Sequence, residues 1–118
     1  MNSSKARVFG IPNCDSVKKA RKWLEENGIE YEFHDYKKSG ISLETLEKWS
    51  DKHGFEALIN KRGTTWRRLD ESDKEKLTRK KAIGMMHTNT SLIKRPVVEY
   101  GNTRLIGFDE PQYAEVFE

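Results

Sequence analysis

The stretch Ala6-Arg-Val-Phe-Gly-Ile-Pro-Asn-Cys-Asp-Ser-Val-Lys-Lys-Ala-Arg-Lys-Trp-Leu24, continued by Glu25-Glu-Asn-Gly-Ile-Glu-Tyr-Glu-Phe-His-Asp-Tyr36, decides the fold. Ala6 to Ile11 is short, holds Val8, Phe9 and Ile11, and stops at Pro12, which is the pattern of a strand bounded by a turn. Asn13 is a good N-cap, Val17, Ala20 and Leu24 recur at helical spacing, and Asn27-Gly28 offers the left-handed residue that closes such a helix. From Ile29 to Tyr36 the residues alternate, with Ile29, Tyr31 and Phe33 on one side and Glu30, Glu32 and His34 on the other, as in a half-buried strand. Strand, helix and strand in this order predict a right-handed crossover joining two parallel strands.

Downstream, about residues 42–93 read as helical. Leu43, Leu46 and Trp49 form one segment, and Ala57, Leu58 and Ile59 a second. Ser72 and Glu75 have capping-box spacing and are expected to open a polar helix running through Leu77 towards Ile83. Thr90 or Ser91 is expected to cap a last turn that Pro96 stops. Val97–Tyr100 and Thr103–Gly107 flank Gly101-Asn102, a pair suited to a tight hairpin. Asp109, Pro111 and Gln112 then open a final helix with Tyr113, Val116 and Phe117 as its apolar face. The order β-α-β, helices, β-β-α is that of an α/β, thioredoxin-like core with a four-stranded mixed sheet. No repeat or linker divides residues 1–118, so one domain with an inserted helical stretch is expected.

Composition sets the limits on function. The chain has 118 residues, 22 Lys+Arg against 19 Asp+Glu, and one cysteine. Leu, Ile, Val and Phe number 25, close to the roughly one-fifth below which charged chains fail to fold, so 3 Trp, 4 Tyr and 5 Phe must supply much of the core. A net charge of +3 spread over interspersed signs is a weak footprint for nucleic acid, which is not expected as a partner. The amino-terminal residues lead into Val8 without an apolar h-region or a membrane-length run, so a cytoplasmic location without membrane association is expected. One cysteine excludes an intrachain disulfide, a four-cysteine zinc site and a two-thiol redox pair. His34, His53 and His87 are far apart in sequence and read as solvated or capping residues, so no metal site is expected.

Cys14 lies at the strand-to-helix junction, about the first helical position if Asn13 is the cap. The unpaired N–H groups and positive dipole end there stabilise a thiolate, and equally an oxyanion. That placement suits disulfide exchange or attack on an oxyanion substrate, although a cysteine in a turn is as often an inert small residue. Val17 stands three residues on, so any disulfide chemistry is monothiol and needs a second thiol from outside.

Gly10-Ile-Pro-Asn-Cys-Asp-Ser-Val-Lys-Lys-Ala-Arg-Lys-Trp-Leu24, Asn60-Lys-Arg-Gly-Thr-Thr-Trp-Arg67 and Leu92-Ile-Lys-Arg-Pro-Val-Val98 closely resemble the arsenate reductase-related (ArsC/Spx) family, and within it the YffB-like branch. The resemblance runs from about Ala6 to the last residues. It implies a thioredoxin-like fold with a helical insertion, a nucleophile at Cys14, and a functional arginine at Arg95 that tunes the thiolate and holds an anionic group. It likens Pro96 to the proline, often cis, beside the active cysteine of such folds. Asn13, Asp15, Ser16, Arg62 and Pro96 become the expected substrate-binding residues. Asn60 and Gly107 fall where arsenate reductases of the group carry two more arginines, so arsenate loses much of its positive clamp.

The leading expectation is a glutathione-dependent thiol-disulfide reductase of monothiol type. Glutathione is its co-substrate, no cofactor stays bound, and a disulfide or oxyanion is the substrate. Glutathione-dependent arsenate reduction is the enzymatic alternative. The other alternative is a noncatalytic Spx-like adaptor, the one reading under which RNA polymerase is a partner. Lys74–Lys81 reads as a solvated helix face, and Trp23, Trp49 and Trp66 as core material.

Overall fold

A computed structural model describes residues 5–118, and its contacts divide the chain into two compact units. One unit holds the chain up to Ser39 together with Arg95–Glu118, and the other is Gly40–Lys94.

The first unit is built on a four-stranded sheet. Its strands are β1 (Ala6–Gly10), β2 (Tyr31–Asp35), β3 (Val97–Tyr100) and β4 (Thr103–Ile106), in the order β2-β1-β3-β4. β1 runs parallel to β2, with Val8 opposite Phe33, and antiparallel to β3, with Val8 opposite Val98. The parallel pair is joined by α1 (Asp15–Glu26), the crossover expected from the sequence. α1 buries Val17, Ala20, Trp23 and Leu24, and ends where Asn27 closes it and Gly28 takes φ +70. β3 and β4 form the expected hairpin: Gly101 alone supplies the positive φ (59°), with Asn102 negative, as in a turn that needs glycine first. α8 (Glu110–Phe117) closes the chain.

Alternation decides what each face of the sheet does. Ala6, Val8, Val98 and Leu105 share one face and pack with Ala20, Trp23 and Leu24 of α1 and Tyr113 of α8, while Ile29, Tyr31 and Phe33 lie against the same cluster. Trp23 meets Tyr113 edge-on at 5.8 Å, and Phe117 lies 5.9 Å from Trp23. Each such aromatic pair adds roughly 0.5–1.5 kcal/mol beyond the area it buries, which is how a chain poor in aliphatic residues holds its core.

The opposite face carries a row of alternating charge that spans the sheet. Glu32, Arg7, Glu99 and Arg104 are successive register partners across β2, β1, β3 and β4. The last pair is tight, with Arg104 Nη2 2.9 Å and Nε 3.1 Å from Glu99 Oε2.

The second unit is helical, as expected for this stretch. α2 (Tyr36–Ser39) belongs to the first unit. α3 (Leu43–His53), α4 (Phe55–Leu58), α5 (Thr64–Arg67), α6 (Glu71–Glu75), α7 (Arg79–Thr88) and a 3₁₀ turn over Thr90–Leu92 follow. Ser42 caps α3 by accepting from the Thr45 N–H, and Gly54 at φ +81 ends it. Leu46 and Trp49 are buried as expected, but Leu43 is 47% exposed, since the first position of α3 projects from the buried stripe. Ile59 and Ile93 form an antiparallel bridge, a strand contact that the helical spacing did not suggest.

The polar stretch after Trp66 differs most from expectation. Ser72 opens nothing: α6 begins at Glu71 after Asp70 and buries no residue, so it stops within five residues. A new helix starts at Thr78, whose hydroxyl accepts from the Lys81 N–H. Asn89, in place of Thr90 or Ser91, caps the 3₁₀ turn through the Ser91 N–H. Nor is Lys74–Lys81 one solvated face. Lys74 lies 5.7 Å over Trp66, and Lys81 is 3.0 Å from Asp73.

Candidate active site

Three consecutive features place Cys14. β1 delivers Gly10 to one end of the sheet, residues 11–13 make the turn, and α1 leaves from it. Asn13 was expected to cap α1 and does not. Cys14 is itself the N-cap residue, with extended φ −126° and ψ 129°, because the turn uses one residue more than the sequence suggests. The Cys14 side chain makes no capping hydrogen bond, and the thiol is half-exposed. The first bond of the helix runs from the Lys18 N–H to the Cys14 carbonyl at 2.9 Å. The N–H groups of Asp15 and Ser16 therefore belong to the first turn, where a helix has no internal acceptors and carries its positive end. Asp15 and Ser16 are exposed, as is Asn13, whose Oδ1 accepts from Lys18 Nζ at 3.4 Å.

Arg95 and Pro96 reach the same end of the sheet by another route. Phe9 is opposite Val97, and continuing that antiparallel register sets Pro96 beside Gly10. The Arg95–Pro96 peptide bond is cis, and Pro96 is buried with its carbonyl accepting from the Gly107 N–H at 2.7 Å. A Cβ built on Gly10 would lie 2.7 Å from Val17 Cγ2 and 3.7 Å from Arg95 Cβ. The first turn of α1 therefore closes on Gly10 at Val17, where only glycine leaves room, while the Arg95 Cβ stands at ordinary contact distance.

One neighbour of Arg95 is marked by no motif in the sequence. Tyr36, the first residue of α2, is 1% exposed, and its hydroxyl has no hydrogen-bond partner among the described residues. Burial pushes its phenol well above the usual range; the Arg95 charge pulls against that and the Glu99 charge adds to it. The only sequence signal was a tyrosine at the end of an alternating strand, which by itself predicts no role. His34 also departs from expectation: it packs on Phe9 with ring centroids 5.0 Å apart. His87 Nδ1 lies 2.8 Å from the Ile41 carbonyl. Among the described residues no three His, Cys, Asp or Glu side chains group as metal ligands, and no helix is long and apolar enough to cross a membrane.

Gly107 and Asn60, where the resemblance led arginines to be looked for, have structural work of their own. Gly107 takes φ +88, donates its N–H to Pro96 and accepts the Tyr113 hydroxyl at 2.8 Å. An arginine would be strained in that conformation. In the second unit, Asn60 accepts the Arg62 N–H at 3.2 Å, and Arg62 is exposed on the loop between α4 and α5.

A four-stranded mixed sheet in the order β2-β1-β3-β4, with a parallel β-α-β crossover, an antiparallel hairpin beside it and a closing helix, is a thioredoxin-like α/β fold. The profile of the ArsC family matches residues 9–116. The chain belongs to the ArsC family. Its relatives within and around that family include an uncharacterized protein of Haemophilus influenzae, 44% identical over 93% of this chain and 96% of its own length. The global transcriptional regulator Spx of Streptococcus mutans is 30% identical over 89% of this chain and 77% of its own. Among solved structures, a protein named YFFB superposes with TM-score 0.92 at 45% identity, covering 97% of this ArsC-family chain and all of its own.

Proposed function

We propose that this ArsC-family protein is a cytoplasmic, glutathione-dependent thiol-disulfide reductase of monothiol type, with Cys14 as the nucleophile. The observation that carries the reading is the half-exposed Cys14 at the N-terminus of a twelve-residue helix, its side chain not used to cap that helix. A thiolate there is stabilised by the first-turn N–H groups and the helix dipole, and it is the reactive form in thiol exchange. The thiolate attacks the glutathione sulfur of a mixed disulfide, breaking the S–S bond and releasing the substrate thiolate, which takes a proton. A second glutathione attacks the Cys14–glutathione disulfide, giving oxidised glutathione and regenerating Cys14. The substrate is reduced by two electrons, and glutathione supplies them.

Arg95 holds an acidic group of the substrate through its planar fork, and Asn13, Asp15, Ser16 and Pro96 shape the site around the sulfur. Arg62 is not needed by this reading. The occupied geometry at Gly107 favours disulfide over arsenate, because the position cannot supply an arginine to a multiply charged oxyanion.

Intact mass after incubation with oxidised glutathione tests the reading. One glutathione adduct at Cys14, removed by reduced glutathione and absent in Cys14→Ser, is the expected result. An inert Cys14 ends the proposal. Arsenate-dependent turnover in place of disulfide turnover transfers it to oxyanion chemistry.

A further inference from the structure

Charge is not spread evenly along this chain. Seven of the 22 Lys and Arg and four of the 19 Asp and Glu fall within residues 67–81, so the remainder is balanced at fifteen of each sign. The whole excess of positive charge therefore lies in the segment that runs through α6 into α7. That segment borders a groove of about 710 Å³ in the second unit, with Leu69, Met85 and Leu92 as apolar walls and Lys80 and Lys81 on its rim. The volume is in the range of clefts that take a drug-sized ligand.

Gly84 lines the groove. It sits inside α7, where glycine is the least favourable residue after proline. It has an ordinary helical backbone, and a Cβ placed on it would meet nothing within 4 Å. Neither a left-handed turn nor close packing requires glycine here, so the residue's effect is the room it leaves beside Met85. Methionine is the side chain that adapts best to varied apolar anchors. Lys81 is held by Asp73, whereas Lys80 is exposed on the rim.

We propose that this groove is a docking site for an acidic peptide segment of a partner protein, with aliphatic anchors seated between Leu69, Gly84 and Met85. Charge complementarity selects that occupant. A second copy of the chain would bring the same basic segment against this one. Single-stranded nucleic acid would need aromatic platforms, and the groove walls are aliphatic and thioether. The proposal is independent of Cys14 chemistry.

The test selects a display library of short random peptides on the full chain carrying Cys14→Ser, which removes thiol capture. The recovered peptides are then measured against Gly84→Phe, which fills the groove, and Lys80→Glu, which reverses the rim. Recovered peptides rich in Asp and Glu with two aliphatic positions are expected. They should bind about tenfold more weakly to each variant, weaken with added salt, and shift the Leu69, Gly84 and Met85 amides in NMR titration. Thermal melts establish that the variants fold. If Gly84→Phe does not, Gly84→Ala carries the steric arm, with a smaller loss of binding and a raised melting temperature. No recovered peptide, recovery without acidic residues, or equal binding to the variants overturns the proposal. So does movement of the Gly84 amide by oligo-dT, by anionic vesicles or by concentration of the chain alone, in place of the peptides.

Discussion

Gly10 and Val17 are packed so closely that a side chain on residue 10 has no place: its Cβ would stand 2.7 Å from Val17 Cγ2. The end of β1 and the first turn of α1 are thereby held at glycine contact distance, and the turn that carries Cys14 spans the two. Gly10→Ala is expected to cost about 1–3 kcal/mol through overpacking, measured by urea unfolding. Val17→Ala removes the obstructing methyls, so the double variant is expected to lose less than the sum of the single losses. A cycle that closes additively would show that the Gly10–Val17 contact is not what requires glycine.

Two buried tyrosines should respond in opposite ways to loss of the hydroxyl. Tyr113 donates to the Gly107 carbonyl at 2.8 Å, so Tyr113→Phe strands that carbonyl and is expected to cost about 1–2 kcal/mol. The Tyr36 hydroxyl has no acceptor among the described residues, so Tyr36→Phe is expected to leave stability unchanged or raise it by up to about 1 kcal/mol. Equal losses from chemical denaturation of the two variants would refute the contrast.

The same groups are expected to weaken the fold at alkaline pH. Burial raises the phenols of Tyr36 and Tyr113 above the model-peptide value of 10.0, and burial together with the bond to Glu25 raises Tyr31. A raised folded value means that the unfolded chain releases its protons first. The stability contribution is complete below pH 10 and is lost as pH rises above it. Denaturation midpoints between about pH 9 and about pH 11.5, a window around the usual phenol value, should fall more gently for Tyr36→Phe than for the parent chain. Parallel slopes would remove Tyr36 from this account.

The first and last thirds of the fold were legible because their signals are local. Alternation in Ile29–Tyr36, the Asn27-Gly28 stop and the Gly101-Asn102 turn each name an element without reference to the rest of the chain. The helical stretch was legible only in kind. Its breaks at Lys76 and Thr78 arise because α6 has no buried residue to propagate it, which is a property of packing. Cys14 and Arg95 were marked by motif resemblance, and their placement at one end of the sheet follows from the register of β1 with β3. Tyr36 and the charge row on the sheet were hidden, since their meaning lies in neighbours distant in sequence.

That row gives a further measurable expectation. Glu99 and Arg104 are mutually bonded and retain 23% and 15% side-chain exposure, so their attraction is only partly screened. A double-mutant cycle with Glu99→Gln and Arg104→Met is expected to give a coupling of about 1 kcal/mol that shrinks in high salt. A coupling near zero at low salt would mean that desolvation cancels the pair.

Arg95→Lys separates charge from shape at the proposed site. Lysine keeps the positive charge next to the cis-proline but loses the planar pair of donors that binds a carboxylate in two places. With glutathionylated acidic peptides as substrate, kcat/KM is expected to fall about tenfold, equivalent to ~1.4 kcal/mol of transition-state binding. The decrease should be smaller for a neutral mixed disulfide, because that substrate offers the fork no carboxylate. Adduct formation at Cys14 with oxidised glutathione should persist in Arg95→Lys and vanish in Cys14→Ser, which distinguishes a lost binding group from a lost nucleophile. Equal decreases for acidic and neutral substrates would place the effect of Arg95 on the sulfur instead of the substrate, and full activity in both would leave the thiol chemistry to Cys14 and the α1 terminus alone.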